Sequence, residues 1–160
     1  MRSSPQIREA ASDDIPLILE VERACSTAAH WSEEQYRKAI DGVGEGPERR
    51  VLVAEMAEAE LGQGTLVAFL VARRVSEEWE LENIAVSQEF RRQGIGMQLL
   101  DALLALVQET KGSAVLLEVR ESNMAARQLY EKSGFRETGR RRNYYAEPVE
   151  DAVLYRRAIV

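Results

Sequence analysis

"FRRQGIG" runs from Phe90 to Gly96, between the apolar "LENIAV" (Leu81 to Val86) and "MQLLDALLALVQ" (Met97 to Gln108). A helix start leaves about four backbone N–H groups without helical partners, at the positive end of its dipole. Anions bind there. Gly94 and Gly96 remove side chains, so a pyrophosphate can approach the backbone, and Arg91 and Arg92 add charge. The stretch reads as a phosphate cradle on a strand-turn-helix, against the plainer reading of a flexible turn with solvated arginines. No G-x-x-x-x-G-K-[ST] is present, so it is not a P-loop. No G-x-G-x-x-G is present either, so it is not the dinucleotide fingerprint.

Downstream, Leu99, Leu100, Leu103, Leu104 and Val107 recur at helical spacing, predicting a helix from about Met97 to Thr110. "SAVLLEV" (113–119) reads as a buried strand. "SNMAARQLYEKSG" (122–134) reads as a short helix capped by Ser122 and stopped by Gly134. "FRETGRRRNYY" (135–145) and "EDAVLYRRAIV" (150–160) are two closing strands joined through "AEP". Upstream, "EWELENIAV" is a strand, and "RVLVAEM" and "GTLVAFLVARRV" form a hairpin around "AEAELGQG". "QIREA" is a first strand. "SDDIPLILEVERAC" is a helix capped by Ser12, with Asp13 and Asp14 in its first turn. "HWSEEQYRKAI" starts a second helix, with Ser32 and Gln35 at capping-box spacing. The order β-α-α-β-β-β-α-β-α-β-β predicts an α/β fold of mixed α+β type: one mixed, mostly antiparallel sheet with helices on both faces.

At 160 residues, 45% hydrophobic and 30% charged, the chain is expected to form one soluble domain over 1–160. A net charge of −6 argues against binding a nucleic-acid backbone directly. The one cysteine, Cys25, permits no internal disulfide and no Cys-rich zinc site, and with His30 as the one histidine no His cluster can bind a metal. His30 is expected in a loop. No stretch has signal-peptide character or approaches ~20 apolar residues, so neither secretion nor a membrane is expected, and a cytoplasmic location is.

With these elements placed, the chain resembles the acetyl-CoA-binding core of the GNAT N-acetyltransferases, in "LENIAV" followed by "RRQGIG" and a helix. "LEVRESNMAARQLYEKSGF" (Leu117 to Phe135), "RRRNYY", "EDAVLY" and "HWSEEQY" are similar to the bacterial ribosomal-protein alanine N-acetyltransferases within that superfamily. The resemblance covers nearly the whole chain. It implies acetyl-CoA as co-substrate without a metal, and the N-terminus of a small-subunit ribosomal protein as peptide substrate. The α-amine of an N-terminal Ala would take the acetyl group. A monomer or weak dimer is expected.

Such chemistry needs a base for the amine, a donor for the oxyanion and an acid for the departing thiolate. An α-amino group (pKa ~8) is roughly a tenth neutral at neutral pH, whereas lysine (~10.4) is far less so, and the former needs a gentler base. Glu118 ends the run Ala114-Val115-Leu116-Leu117 and shares a strand face with Ala114 and Leu116. A carboxylate there is costly unless solvated, paired or used. The bland alternative is a pair with Arg120 or another arginine at the sheet edge. The resemblance implies that Glu118 is the proton acceptor, directly or through a water, and that Tyr130 is the acid near the sulfur. It also implies that Asn123 meets the pantetheine arm. The backbone of Ile84, Ala85 and Val86 would pair with the pantetheine amides, and Arg91, Arg92, Gln93, Gly94, Ile95, Gly96 and Met97 would hold the pyrophosphate. Trp31, Tyr144 and Tyr145 are candidates for the peptide side. Strand alternation puts Tyr144 and Tyr145 on opposite faces, so one of them at most should touch substrate. "RRNYY" and "EDAV" favour a peptide over a small-molecule amine. A non-catalytic acyl-CoA-binding module is the third reading.

Overall fold

The computed structural model describes residues 4–42, 44, 46–57 and 64–160. Residues 58–63, most of the "AEAELGQG" loop, lie outside it. The chain runs β1 (Gln6–Glu9), α1 (Ile15–Ala24), α2 (Glu33–Asp41), β2 (Arg49–Ala57), β3 (Gly64–Val75), β4 (Glu78–Val86), α3 (Ile95–Glu109), β5 (Ala114–Arg120), α4 (Met124–Lys132), β6 (Arg136–Ala146) and β7 (Val149–Ala158). The strands form one sheet in the order β1-β2-β3-β4-β5-β7-β6. Among the described strands only β4 and β5 run parallel; α3 makes the crossover between them. No described helix is long and apolar enough to cross a membrane.

The helices split between the two faces. On one, Leu99, Leu100, Leu103 and Val107 of α3 pack on Leu70, Trp79 and Leu117 of the sheet, with Tyr130 of α4. On the other, Ile18 of α1 and Tyr36 of α2 pack on Val53, Phe69 and Val71. β4 serves both layers because its register with β3 slips: Val71 pairs with Asn83 but Ala72 with Leu81. Glu82 is the extra residue of a bulge. Trp79 and Leu81 therefore face the α3 layer, while Ala85, an even number of residues on, faces the α1 layer.

Three local expectations change. Ser12 caps nothing, since residues 12–14 form a 3-10 turn ahead of α1. Asp14 holds that entry instead, accepting from the Ala11 amide (2.8 Å) and from both Nη atoms of Arg8 (2.7 and 2.8 Å). The Arg8 guanidinium holds the Asp14 carboxyl below its ordinary range. α3 starts at Ile95 rather than Met97, because left-handed Gly94 already closes the turn. Asn123 rather than Ser122 caps α4, its Oδ1 accepting from the Ala126 amide at 3.2 Å. The Ser32–Gln35 box forms as expected, with bonds of 3.2 and 2.8 Å.

Candidate active site

β4 and β5 pair only from Glu78↔Ala114 to Glu80↔Leu116. Beyond that, β4 continues to Val86 along β3, and β5 continues to Arg120 along β7. A wedge opens between them. One of its walls is the backbone edge of Ile84, Ala85 and Val86, which β5 leaves without a strand partner; the other carries Glu118. The Val86 carbonyl accepts from Arg91 Nε at 3.1 Å.

The turn after β4 has left-handed backbone at Arg92 (φ 62°) and Gly94 (φ 81°). Left-handed Gly94 followed by helical Ile95 has the alternating handedness that turns successive amides to one side. The first helical bond is Gln98 N–H to Gly94 O, 3.0 Å, and no side chain caps α3. The amides of Ile95, Gly96 and Met97 thus have no helical partner. The two glycines serve different ends. A Cβ on Gly94 would meet nothing, so Gly94 is required by its backbone angle. A Cβ on Gly96 would lie 3.1 Å from Leu129 Cδ2, so Gly96 lets α3 approach α4. Arg91, Arg92 and Gln93 are exposed, and the Ile95 side chain is buried in the core. This uncapped, positively flanked turn fits an anionic pyrophosphate.

Across the wedge, the Glu118 side chain is 27% exposed and its Oε1 accepts from Arg141 Nε at 2.8 Å. The arginine partner expected of the bland alternative is therefore present, on β6. Tyr130 is 5% exposed, packed between Phe135 and Tyr155 at ring-centroid distances of 5.9 and 6.2 Å. Its hydroxyl has no hydrogen-bond partner among the described residues. Burial, and then Tyr145, push that hydroxyl well above its ordinary pKa. Tyr145 is itself pushed up, by burial first and then by the nearby Glu118 carboxylate.

β6 is irregular where it passes the wedge. Arg141 pairs with Ala152 and Tyr145 with Glu150, leaving 142–144 opposite Asp151 alone. Asn143 is left-handed (φ 52°), and its amide donates to Asp151 Oδ1 at 2.9 Å. This distortion cancels the alternation, so Tyr144 and Tyr145 do not point to opposite faces. Their rings meet edge to face at 5.1 Å. Arg120 covers Tyr145 at 4.0 Å, while Tyr144 is 54% exposed. Glu150 of β7 accepts from the Ser122 amide and Arg120 Nη1, tying the approach to α4 to β7. "RRNYY" and "EDAV" are thus the two halves of one bulge.

Trp31 lies in the loop between α1 and α2, 5.4 Å from the Tyr36 ring and 5.8 Å beneath the Arg49 guanidinium. Behind it is a buried polar cluster that the sequence reading did not single out. Glu22 Oε1 accepts from the Trp31 amide (2.7 Å), Tyr36 Oη (2.6 Å) and Asn83 Nδ2 (3.2 Å). A signal was available: Glu22 follows Ile15, Ile18 and Leu19 at i+7, i+4 and i+3, so it lies on the apolar stripe of α1.

The acetyltransferase (GNAT) family model matches residues 15–135. The ribosomal protein bS18-alanine N-acetyltransferase of Escherichia coli is 34% identical over 150 residues, covering 92% of this chain and 93% of that protein. The protein of the same name from Salmonella typhimurium is 37% identical over 147 residues, covering 90% of each. The crystal structure of the Escherichia coli ribosomal-protein alanine N-acetyltransferase superposes with a TM-score of 0.78 at 30% identity, over 97% of this chain and 94% of that one.

Proposed function

The chain belongs to the acetyltransferase (GNAT) family, and on that premise we propose that it acetylates the α-amine of an N-terminal Ala on a ribosomal protein, with acetyl-CoA as donor. The observation that carries this reading is the wedge between β4 and β5, with an uncapped helix start at one end and Glu118 facing a backbone edge that β5 leaves without a strand partner. An extended pantetheine arm would pair with Ile84–Val86 there as a strand pairs with a peptide. The amides at the start of α3, with Arg91 and Arg92 beside them, would hold the pyrophosphate. Asn123, with Oδ1 committed to its cap, offers its Nδ2 to the arm.

Acetyl-CoA supplies an acetyl thioester. Glu118 takes the proton of the attacking amine, directly or through a water; Arg141 keeps its carboxylate oriented until then. A β4 amide donates to the oxyanion. Tyr130 returns a proton to the departing sulfur. An ordinary tyrosine (~10) is a weaker acid than a thiol (~8.5), so the transfer is uphill by about 2 kcal/mol in water. Burial pushes the Tyr130 hydroxyl further up. Donation works when the site also raises the thiol, or when the proton moves in concert with C–S cleavage. Trp31, Tyr144 and Tyr145 frame the peptide side, and the names of the relatives support Ala at its first position.

The test is mass spectrometry of acetyl transfer to three acceptors. These are an Ala-starting ribosomal peptide, the same peptide with its N-terminus blocked and an internal Lys, and a panel of small amines. Transfer to the free α-amine alone is expected. Transfer to small amines alone, or tight acetyl-CoA binding without transfer, overturns the reading.

A further inference from the structure

The strained point of the α1–α2 loop is His30, a β-carbon-bearing residue at φ 56°. The amides on either side of it are both held by buried side chains: Ala29 N–H by Asn83 Oδ1 (3.1 Å) and Trp31 N–H by Glu22 Oε1 (2.7 Å). Those two side chains are joined to each other, since Asn83 Nδ2 donates to Glu22 Oε1 (3.2 Å) and to Tyr36 Oη (3.0 Å). Tyr36 Oη in turn donates to Glu22. Glu22 is 2% exposed, and no cation pairs with it among the described residues. A buried carboxylate with only neutral donors is expensive to keep. A left-handed non-glycine residue adds to that cost, and such strain persists only where its surroundings over-determine it. The network spans α1, α2, the loop and the part of β4 beyond the Glu82 bulge, one residue before Ile84.

We infer that Glu22 is a positioning residue: it sets the Ala29-His30-Trp31 turn against the far end of β4, and so shapes the peptide side of the site while leaving acetyl-CoA binding alone. This rests on the acetyltransferase reading given above. What matters is Glu22 as an acceptor for three donors, not its charge, because none of its partners is a cation. Glutamine can accept the same three bonds through Oε1, and leucine accepts none.

The experiment is steady-state kinetics on the Ala-starting peptide, with acetyl-CoA affinity by calorimetry and amide hydrogen exchange at Ala29 and Trp31. Glu22→Leu and the milder Tyr36→Phe are compared with Glu22→Gln. Glu22→Leu is expected to raise peptide KM by roughly tenfold or more and to speed exchange at both amides, with acetyl-CoA affinity within about twofold of wild type. Tyr36→Phe, which keeps the aromatic packing, should raise KM a few-fold. Glu22→Gln should restore both KM and protection. Equal damage from Glu22→Gln and Glu22→Leu would show that charge is what counts and overturn the inference. So would unchanged peptide KM and unchanged exchange in Tyr36→Phe, which remains decisive if Glu22→Leu fails to fold. If wild type acetylates no peptide, the functional reading fails, and the exchange measurements still judge Glu22 by themselves.

Discussion

The two sides of the wedge are built in opposite ways. On the thioester side, the backbone cradle comes from one unbroken stretch, Ile84 to Met97, whose glycine angle, free amides and arginines are set by local sequence, and α4 adds Asn123 and Tyr130. The acceptor side is gathered from α1, α2, β4, β5 and β6, and two of its contacts join residues far apart in the chain: Glu22 with Asn83 and Glu118 with Arg141. A contiguous site needs only its own turn to fold. A gathered site needs the whole sheet in register, so substitutions distant in sequence can retune it.

The comparison is put at risk most sharply at the junction of the two sides. Glu118→Gln should lower kcat by about 10²–10³-fold while peptide KM and acetyl-CoA affinity stay near wild type. A variant with full rate near neutral pH would remove Glu118 as the base. Loss of its half-exposed pair with Arg141 should cost no more than about 1 kcal/mol of stability in chemical denaturation.

Tyr130→Phe should lower kcat by about 10²-fold. Because burial raises the Tyr130 pKa, its proton stays on as the pH rises, and its ionisation cannot produce an alkaline fall in rate below about pH 10. The pH–rate profile of the variant should therefore keep the wild-type shape. An alkaline limb that disappears with the hydroxyl would contradict that assignment.

Gly94→Val tests the thioester side by itself. A branched residue in left-handed backbone costs about 1–2 kcal/mol, and the displaced amides should weaken acetyl-CoA binding by roughly tenfold. Calorimetry on the folded variant checks this; unchanged affinity counts against the cradle. The smallest effect is expected from Asn143→Val, which strains the β6 bulge by a similar ~1–2 kcal/mol. It should raise peptide KM a few-fold with acetyl-CoA affinity untouched. If instead it weakens acetyl-CoA, the two sides are not separable in the way described.

Most of the fold was legible because helix and strand periods, the Ser32–Gln35 box and the Gly134 stop are local signals. The helix starts were less so. Ser12 and Ser122 have the right chemistry, but Asp14 is claimed by Arg8 from β1, and Asn123 is one residue better placed than Ser122. Tyr144 and Tyr145 were misassigned to opposite faces because alternation assumes an unbroken ladder, and the break depends on Asp151 in the next strand. Glu22 escaped because a charged residue on an apolar stripe finds its meaning only in partners from α2 and β4.

The bulge at Glu82 carries a consequence for how this molecule can change over time. Within one strand, Leu81 answers to the packing beneath α3 and Ala85 to the packing beneath α1. Paired substitutions across the bulge should combine additively, within about 0.3–0.5 kcal/mol, as for sites that share no partner. Selection can then remodel the layer that meets the acceptor peptide without repacking the layer under the acetyl donor. One surplus residue in β4 makes the two specificities separately evolvable.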